Sequence, residues 1–346
     1  VSLNPFWVPI WSKYINFKGN TVNSIDDLVD YWQAYFAGGA DQPLFAFLNL
    51  MQPHLPFQPP QQYIDQVAPE LRGDRRAYQF MGRFNADGAA WASPPDPVLE
   101  DWQRDTLSAF YEAEIAFQDD HLGKLLDYLR QSKALDNTLV LIVADHGEGL
   151  GEHDLFGHGF AVHQELVHVP LIMRGADQVP VGGIVRENVS TRRIFHTLLD
   201  VAGLQTGIPG SDVSDLSLLK TIRGGDPESD LAFSEAIPPS TFLRVLEHRN
   251  PAVIDRLRLR LTRRGVYQGD HKLMVAGDTP ESLYNVAVDP TESHNLVAEQ
   301  PQLVEALLQT IAAFAPGLHS QEMESAAVRD VSDEVLEQLR ALGYVD

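Results

Sequence analysis

Continuous apolar runs alternate with helical repeats along this chain, in the order expected of a layered α/β protein. Residues 139–144 read Leu-Val-Leu-Ile-Val-Ala without a polar interruption, as a parallel strand buried on both faces does. Residues 44–50 form a second run of this kind, and Val169-Pro170-Leu171-Ile172-Met173 a shorter third. The longest helical pattern spans 105–133, where Leu107, Phe110, Tyr111, Ile115, Leu122, Leu125, Leu126 and Leu129 recur at threes and fours. Asp136-Asn137 supplies the turn into the strand at 139. Ser24 or Asp26 predicts the cap of a helix that Gly38-Gly39 stops, and Ser190 or Thr191 the cap of one running through Leu199. Residues 63–97 are polar and rich in Pro, Gly and Asp, which reads as a long excursion over the surface. Helix, short turn and buried strand in this succession predict a doubly wound α/β sheet.

The character changes after about residue 205, where Gly207 to Gly210 and Gly224-Gly225-Asp226-Pro227 are loop-rich. Short strands are expected near Ala232-Phe233 and over 272–275 and 282–286, with helices at 301–314 and 332–342. The expected organisation is a main α/β domain over 1–225, a smaller α+β subdomain over 226–318 and a helical tail over 319–346. Residues 1–24 are aromatic and irregular; Trp7, Trp11 and Tyr14 could floor a cleft, although packing is the commoner use of such residues.

The run at 139–144 stops at Asp145-His146-Gly147, and ligands in open α/β sheets bind just beyond the carboxyl ends of strands. A carboxylate suits a hard divalent cation, and an adjacent imidazole widens the choice toward manganese or zinc. Two ligands make half a metal site. The alternative is that Asp145 caps a turn and His146 is a loop residue; the buried run before the pair and the glycine-rich loop after it weigh against that. His54 follows the other buried run, between Pro53 and Pro56, which forbid a helix there. A group titrating near neutrality at that place could hold an oxyanion or pass a proton to a leaving group. His158 stands between Gly157 and Gly159, where the backbone can approach a ligand closely. His153, His158, His163 and His168 recur every five residues, a spacing of neither helix nor strand; His158 is the best candidate of the four. The pairs Asp26-Asp27 and Asp119-Asp120 fall in predicted helices, where neighbours diverge by about 100° and do not converge on one ion.

A formal charge of −22 argues against nucleic acid or an anionic membrane surface as partner. No apolar run approaches the roughly 18 residues of a membrane span. Any chemistry on an anionic ester must therefore rest on a local cation. The chain holds no cysteine, which excludes a thiol nucleophile and a disulfide framework and leaves the compartment open. It starts at Val1 with no signal-like pattern, and reads as a piece of a longer protein.

Taken together, Asp145-His146-Gly147, Gly157-His158-Gly159 and Val169-Pro170-Leu171-Ile172 resemble the metal and active-site segment of sulfatases, in the alkaline-phosphatase-like superfamily. Further matches follow in order: Pro43-Leu44-Phe45 through Pro53-His54-Leu55-Pro56-Phe57, Asp119-Asp120-His121-Leu122-Gly123, Leu283-Tyr284-Asn285-Val286, Asp289-Pro290-Thr291-Glu292 and Asn295-Leu296. The resemblance implies an alkaline-phosphatase-like doubly wound mixed sheet flanked by helices, with a smaller C-terminal α+β subdomain. It implies that Asp145 and His146 ligate a divalent metal, calcium first and manganese as the alternative, and that His54 binds the sulfate or assists the leaving group. His158 occupies a place where many members carry a lysine, and many carry Asn where His146 stands. The Asp-His pair also occurs in relatives that cleave phosphonate or phosphate esters.

The family's formylglycine nucleophile arises from a Cys/Ser-x-Pro-x-Arg motif, and further metal carboxylates come from an Asp-Asp pair ending its first strand. Ser93-Pro94-Pro95-Asp96-Pro97 lacks the arginine, so the expectation is that both elements lie upstream of Val1. The expected function is metal-dependent hydrolysis of small-molecule or glycan sulfate esters. The alternatives are a phosphodiesterase or phosphonate monoester hydrolase, or a catalytically inactive binding fragment. The oligomeric state is left open.

Overall fold

The computed structural model describes residues 21–39, 42–86, 99–175, 179–205 and 212–314. Helices α1 (Thr21–Ala37), α2 (Gln61–Val67), α3 (Arg75–Ala86) and α4 (Asp101–Gln131) precede strand β1 (Val140–Val143). A short hairpin, β2 (Gly149–Leu150) and β3 (Phe156–Gly157), leads to the single turn α5 (Gln164–Val167) and to β4 (Leu171–Arg174). Then come α6 (Arg193–Val201), α7 (Leu218–Ile222), β5 (Leu231–Ala236), α8 (Ser240–Arg249) and α9 (Pro251–Arg256). Strands β6 (Arg263–Gln268), β7 (His271–Ala276) and β8 (Thr279–Asn285) and helix α10 (Pro301–Phe314) complete the order.

Helix α4 is the girder. A capping box between Glu100 and Gln103 opens it, satisfying amides that the first turn cannot. Leu107, Phe110 and Ala113 of α4 pack with Tyr63 and Ile64 of α2 and with Phe80, Met81 and Phe84 of α3. Leu55, Phe57 and Phe156 enter the same core. The turn carrying His54 and the strand preceding His158 are thereby anchored on one helix face.

Strands β5 to β8 form an antiparallel sheet in the order β5-β6-β7-β8. Two-residue turns at Gly269-Asp270 and Gly277-Asp278 join β6 to β7 and β7 to β8, with both glycines at positive φ as such turns require. One face packs Val266, Leu273, Val275 and Leu283 against Val304 and Leu307 of α10. The other meets the site region through Val162, which packs with Ala236, Met274 and Tyr284.

Four expectations from sequence differ from the structure. Residues 44–50 form no strand: among the described residues no neighbouring strand gives them a ladder, and Phe45 and Phe47 are 73% and 81% exposed. β1 pairs antiparallel with β4, Val140 opposite Arg174 and Val143 opposite Leu171, and is only half-buried. The chain between them returns through a hairpin and a single helical turn, without the long helical crossover that a parallel pair needs. The stretch from 63 holds two helices with buried faces, because Ala77, Phe80, Met81 and Phe84 keep a helical period beneath a polar composition; 87–97 lie outside the described residues. β6 went unforeseen, since Arg263-Arg264-Gly265 opens it. Gly265 is required there: a Cβ would come 2.6 Å from Ser234 Oγ and 3.3 Å from Val162 Cγ2. The aromatic residues Trp7, Trp11 and Tyr14, and the helix expected over 332–342, lie outside the described residues.

Candidate active site

Three loops deliver three imidazoles to one place. His54 sits in the tight turn after Met51, its amide donating to the Met51 carbonyl at 2.9 Å. His146 follows β1, and His158 follows β3. Ring centroids are 3.9 Å apart for His146 and His158, 5.0 Å for His54 and His158, and 6.0 Å for His54 and His146.

Each ring is tethered through Nδ1. The Leu55 carbonyl lies 2.6 Å from His54 Nδ1, the Gly147 carbonyl 2.7 Å from His146 Nδ1, and Glu148 Oε1 3.0 Å from His158 Nδ1. All three partners can only accept, so Nδ1 carries a proton, and in the neutral ring Nε2 is the one left with a lone pair. One possible ligand atom from each ring lies within 4.8 Å of those of the others. Such a set can coordinate a divalent cation or, on protonation, surround an oxyanion.

Asp145 stands apart from the rings. Its side chain is 79% exposed, and Oδ1 accepts the His146 amide at 3.0 Å and lies 3.9 Å from His146 Nε2. It borders the cluster at His146 without packing into it. Glu148 escaped the sequence reading. Its carboxylate is 3% exposed, orients His158, and leaves Oε2 buried with no hydrogen-bond partner. A buried, unsatisfied carboxylate oxygen beside three clustered imidazoles and a rim carboxylate is a donor set that fits a divalent cation. The sequence offered only a weak signal for Glu148, an acid two residues past His146 at the entrance to a glycine hairpin.

Burial holds the His54 imidazole below its ordinary value, against the opposing effects of the Leu55 carbonyl and the Glu148 charge. Burial also pushes the Tyr111 phenol up, with the charges of Glu148 and Glu152 adding to it. Of the remaining histidines in the five-residue series, His153 and His163 stack in a second cluster, apart from the first. Asp119 and Asp120 lie within α4 as expected, where Asp120 accepts from Tyr63 at 2.7 Å and from Lys124 at 2.8 Å.

The sequence model of the family described as Sulfatase matches residues 8–204, more than half of the 346-residue chain. The chain belongs to the sulfatase family. This sulfatase-family chain is 27% identical over 316 residues to an uncharacterized sulfatase, YidJ, of Escherichia coli (strain K12), covering 82% of itself and 56% of that protein. It is 28% identical over 236 residues to a choline-sulfatase of Rhizobium meliloti (strain 1021), covering 67% of itself and 41% of that protein. Among solved structures it superposes on the phosphonate monoester hydrolase of Agrobacterium radiobacter with a TM-score of 0.60 at 24% identity, covering 84% of itself and 60% of that chain. The fold is therefore alkaline-phosphatase-like, and the chain spans about half the length of the curated relatives it matches. Among the described residues no helix is long and apolar enough to cross a membrane.

Proposed function

We propose that the protein carrying these residues hydrolyses sulfate esters of small molecules or glycans. The observation supporting this reading is the convergence of His54, His146 and His158, each ring fixed through Nδ1. Asp145 and His146 hold a divalent cation in this reading, calcium first and manganese as the alternative. When bound, the cation polarises the ester oxygens and stabilises an anionic nucleophile. His158, oriented by Glu148, donates in this reading from a protonated Nε2 to the transferring group's oxygens and offsets their charge. His54 takes up a proton on Nε2 and delivers it to the leaving oxygen. The chain holds no cysteine and no Ser-x-Pro-x-Arg stretch, so this reading takes the nucleophile from none of these 346 residues.

A second reading, a phosphonate monoester hydrolase or phosphodiesterase, is favoured by His146 directly after Asp145 and by His158 where a lysine is more usual. Turnover of an aryl sulfate and an aryl phosphate diester by the full-length protein separates the two. Sulfate turnover that falls about 10²–10³-fold in His158→Ala is expected. Turnover of the diester alone would replace the first reading with the second, and turnover of neither would leave a binding protein.

A further inference from the structure

A second convergence of ligating side chains lies outside the three imidazoles, in His153, His163 and Glu165. The His153 and His163 rings stack with centroids 3.7 Å apart and 5° between their planes. His153 Nε2 lies 3.8 Å from Glu165 Oε2, and no hydrogen bond reaches the His153 ring among the described residues. His163 donates from Nδ1 to Glu292 Oε2 at 2.7 Å. Glu292 also accepts the Gln164 amide at 3.1 Å, and through Oε1 the Lys272 ammonium at 2.6 Å. Both Lys272 and Glu292 side chains are fully buried. A carboxylate on one ring nitrogen, itself tied down, is how proteins fix the tautomer and aim of a metal-binding histidine. His153 is moreover held at φ 52°, followed by Asp154 at φ 60°, a left-handed pair of non-glycine residues that persists only where its surroundings impose it.

We propose that His153, His163 and Glu165 bind a late first-row divalent ion, best matched by zinc, at a site separate from the His54–His146–His158 cluster. Two imidazoles and one carboxylate suit that ion, with a fourth position left for water. Glu165, Glu292 and Lys272 together carry a net negative charge that a dication offsets. The stacked rings open from parallel on binding, so that both Nε2 lone pairs reach the ion; the single Nδ1 bond to Glu292 acts as the pivot of His163. The ion acts as a brace. Glu165 and Leu166 form the floor on which the Gly147 turn rests, with the Gly147 amide donating to the Leu166 carbonyl at 2.7 Å. That turn follows His146 directly.

The test is metal content, not turnover, so it stands or falls apart from the sulfatase reading. Metal-free full-length protein is incubated with ZnCl₂ or CoCl₂, freed of excess, and measured by plasma mass spectrometry and visible absorption. The double variant His54→Ala/His158→Ala, in which the three-imidazole cluster is broken, is expected to keep one bound equivalent. Adding His153→Ala or Glu165→Gln to it should weaken that binding at least about tenfold. Binding unchanged by both additions, or no bound equivalent in the double variant, overturns the proposal. Should the His153→Ala addition fail to fold, the Glu165→Gln addition still decides, and no saturable cobalt band in the double variant overturns the site.

Discussion

Gly147 rests directly on the backbone of Glu165: a Cβ at Gly147 would fall 1.9 Å from the Glu165 carbonyl oxygen. Backbone cannot swing aside as a flexible side chain can. Gly147→Ala is therefore expected to destabilise the fold by about 1–3 kcal/mol, through forced displacement of a packed segment. It should also dislodge His146. Gly123, inside α4 with open space around its Cα, gives the opposite expectation: Gly123→Ala stabilises by roughly 0.5–1 kcal/mol. Urea denaturation of the two variants checks both signs.

The Lys272–Glu292 pair is buried without solvent contact. Burial lowers the Lys272 ammonium, and the facing carboxylate opposes that shift. Removing the ammonium in Lys272→Met leaves Glu292 with an uncompensated charge in the interior, at an expected cost of about 3–5 kcal/mol. A denaturation midpoint unchanged from wild type would show that the charge is relieved elsewhere.

The direction of the His54 shift sets a pH dependence of stability. Its folded-state value lies below the ordinary 6.5, so between the two values the unfolded chain binds the proton first. Stability from this group is complete above about pH 6.5 and declines as pH falls toward the folded-state value. His54→Gln should remove that part of the acid sensitivity. Glu148→Gln should deepen the shift, because the Glu148 charge raises His54; NMR titration of the His54 ring reads it directly.

Chelation tests the cation. Activity of the full-length protein should fall on dialysis against EDTA and return with calcium or manganese. Indifference to EDTA would remove Asp145 and His146 from the role of metal ligands.

His158→Lys keeps a cationic donor at this place while changing its shape. Where His158 offsets charge on the ester oxygens, His158→Lys should retain turnover that His158→Ala loses. Equal turnover in wild type, His158→Lys and His158→Ala would place His158 outside the chemistry.

Local pattern carried much of this protein. α4 was legible from its apolar threes and fours, and β7, β8 and α10 from short apolar periods. The ordered motifs from Pro43 to Leu296 were enough to reach the sulfatase resemblance. His54 and His158 stood out because proline and glycine around them announce special backbone. α3 was hidden by composition although its period was present, and β6 by the arginines that open it.

What the sequence by itself determined was therefore the family, the elements with a clear apolar period such as α4, β7, β8 and α10, and the candidates His54, His146 and His158, since each rests on neighbours within a few positions. Only the tertiary structure decided which of them meet. It brought His54 to His158 across a hundred residues, made buried Glu148 the orienting carboxylate, left Asp145 at the rim, and paired His163 with Glu292 from the C-terminal sheet region. It also ran β1 against β4 in antiparallel fashion. The physical reason is that periodicity reports which face of an element is apolar, while ring distances and buried charge partners depend on how separate elements pack.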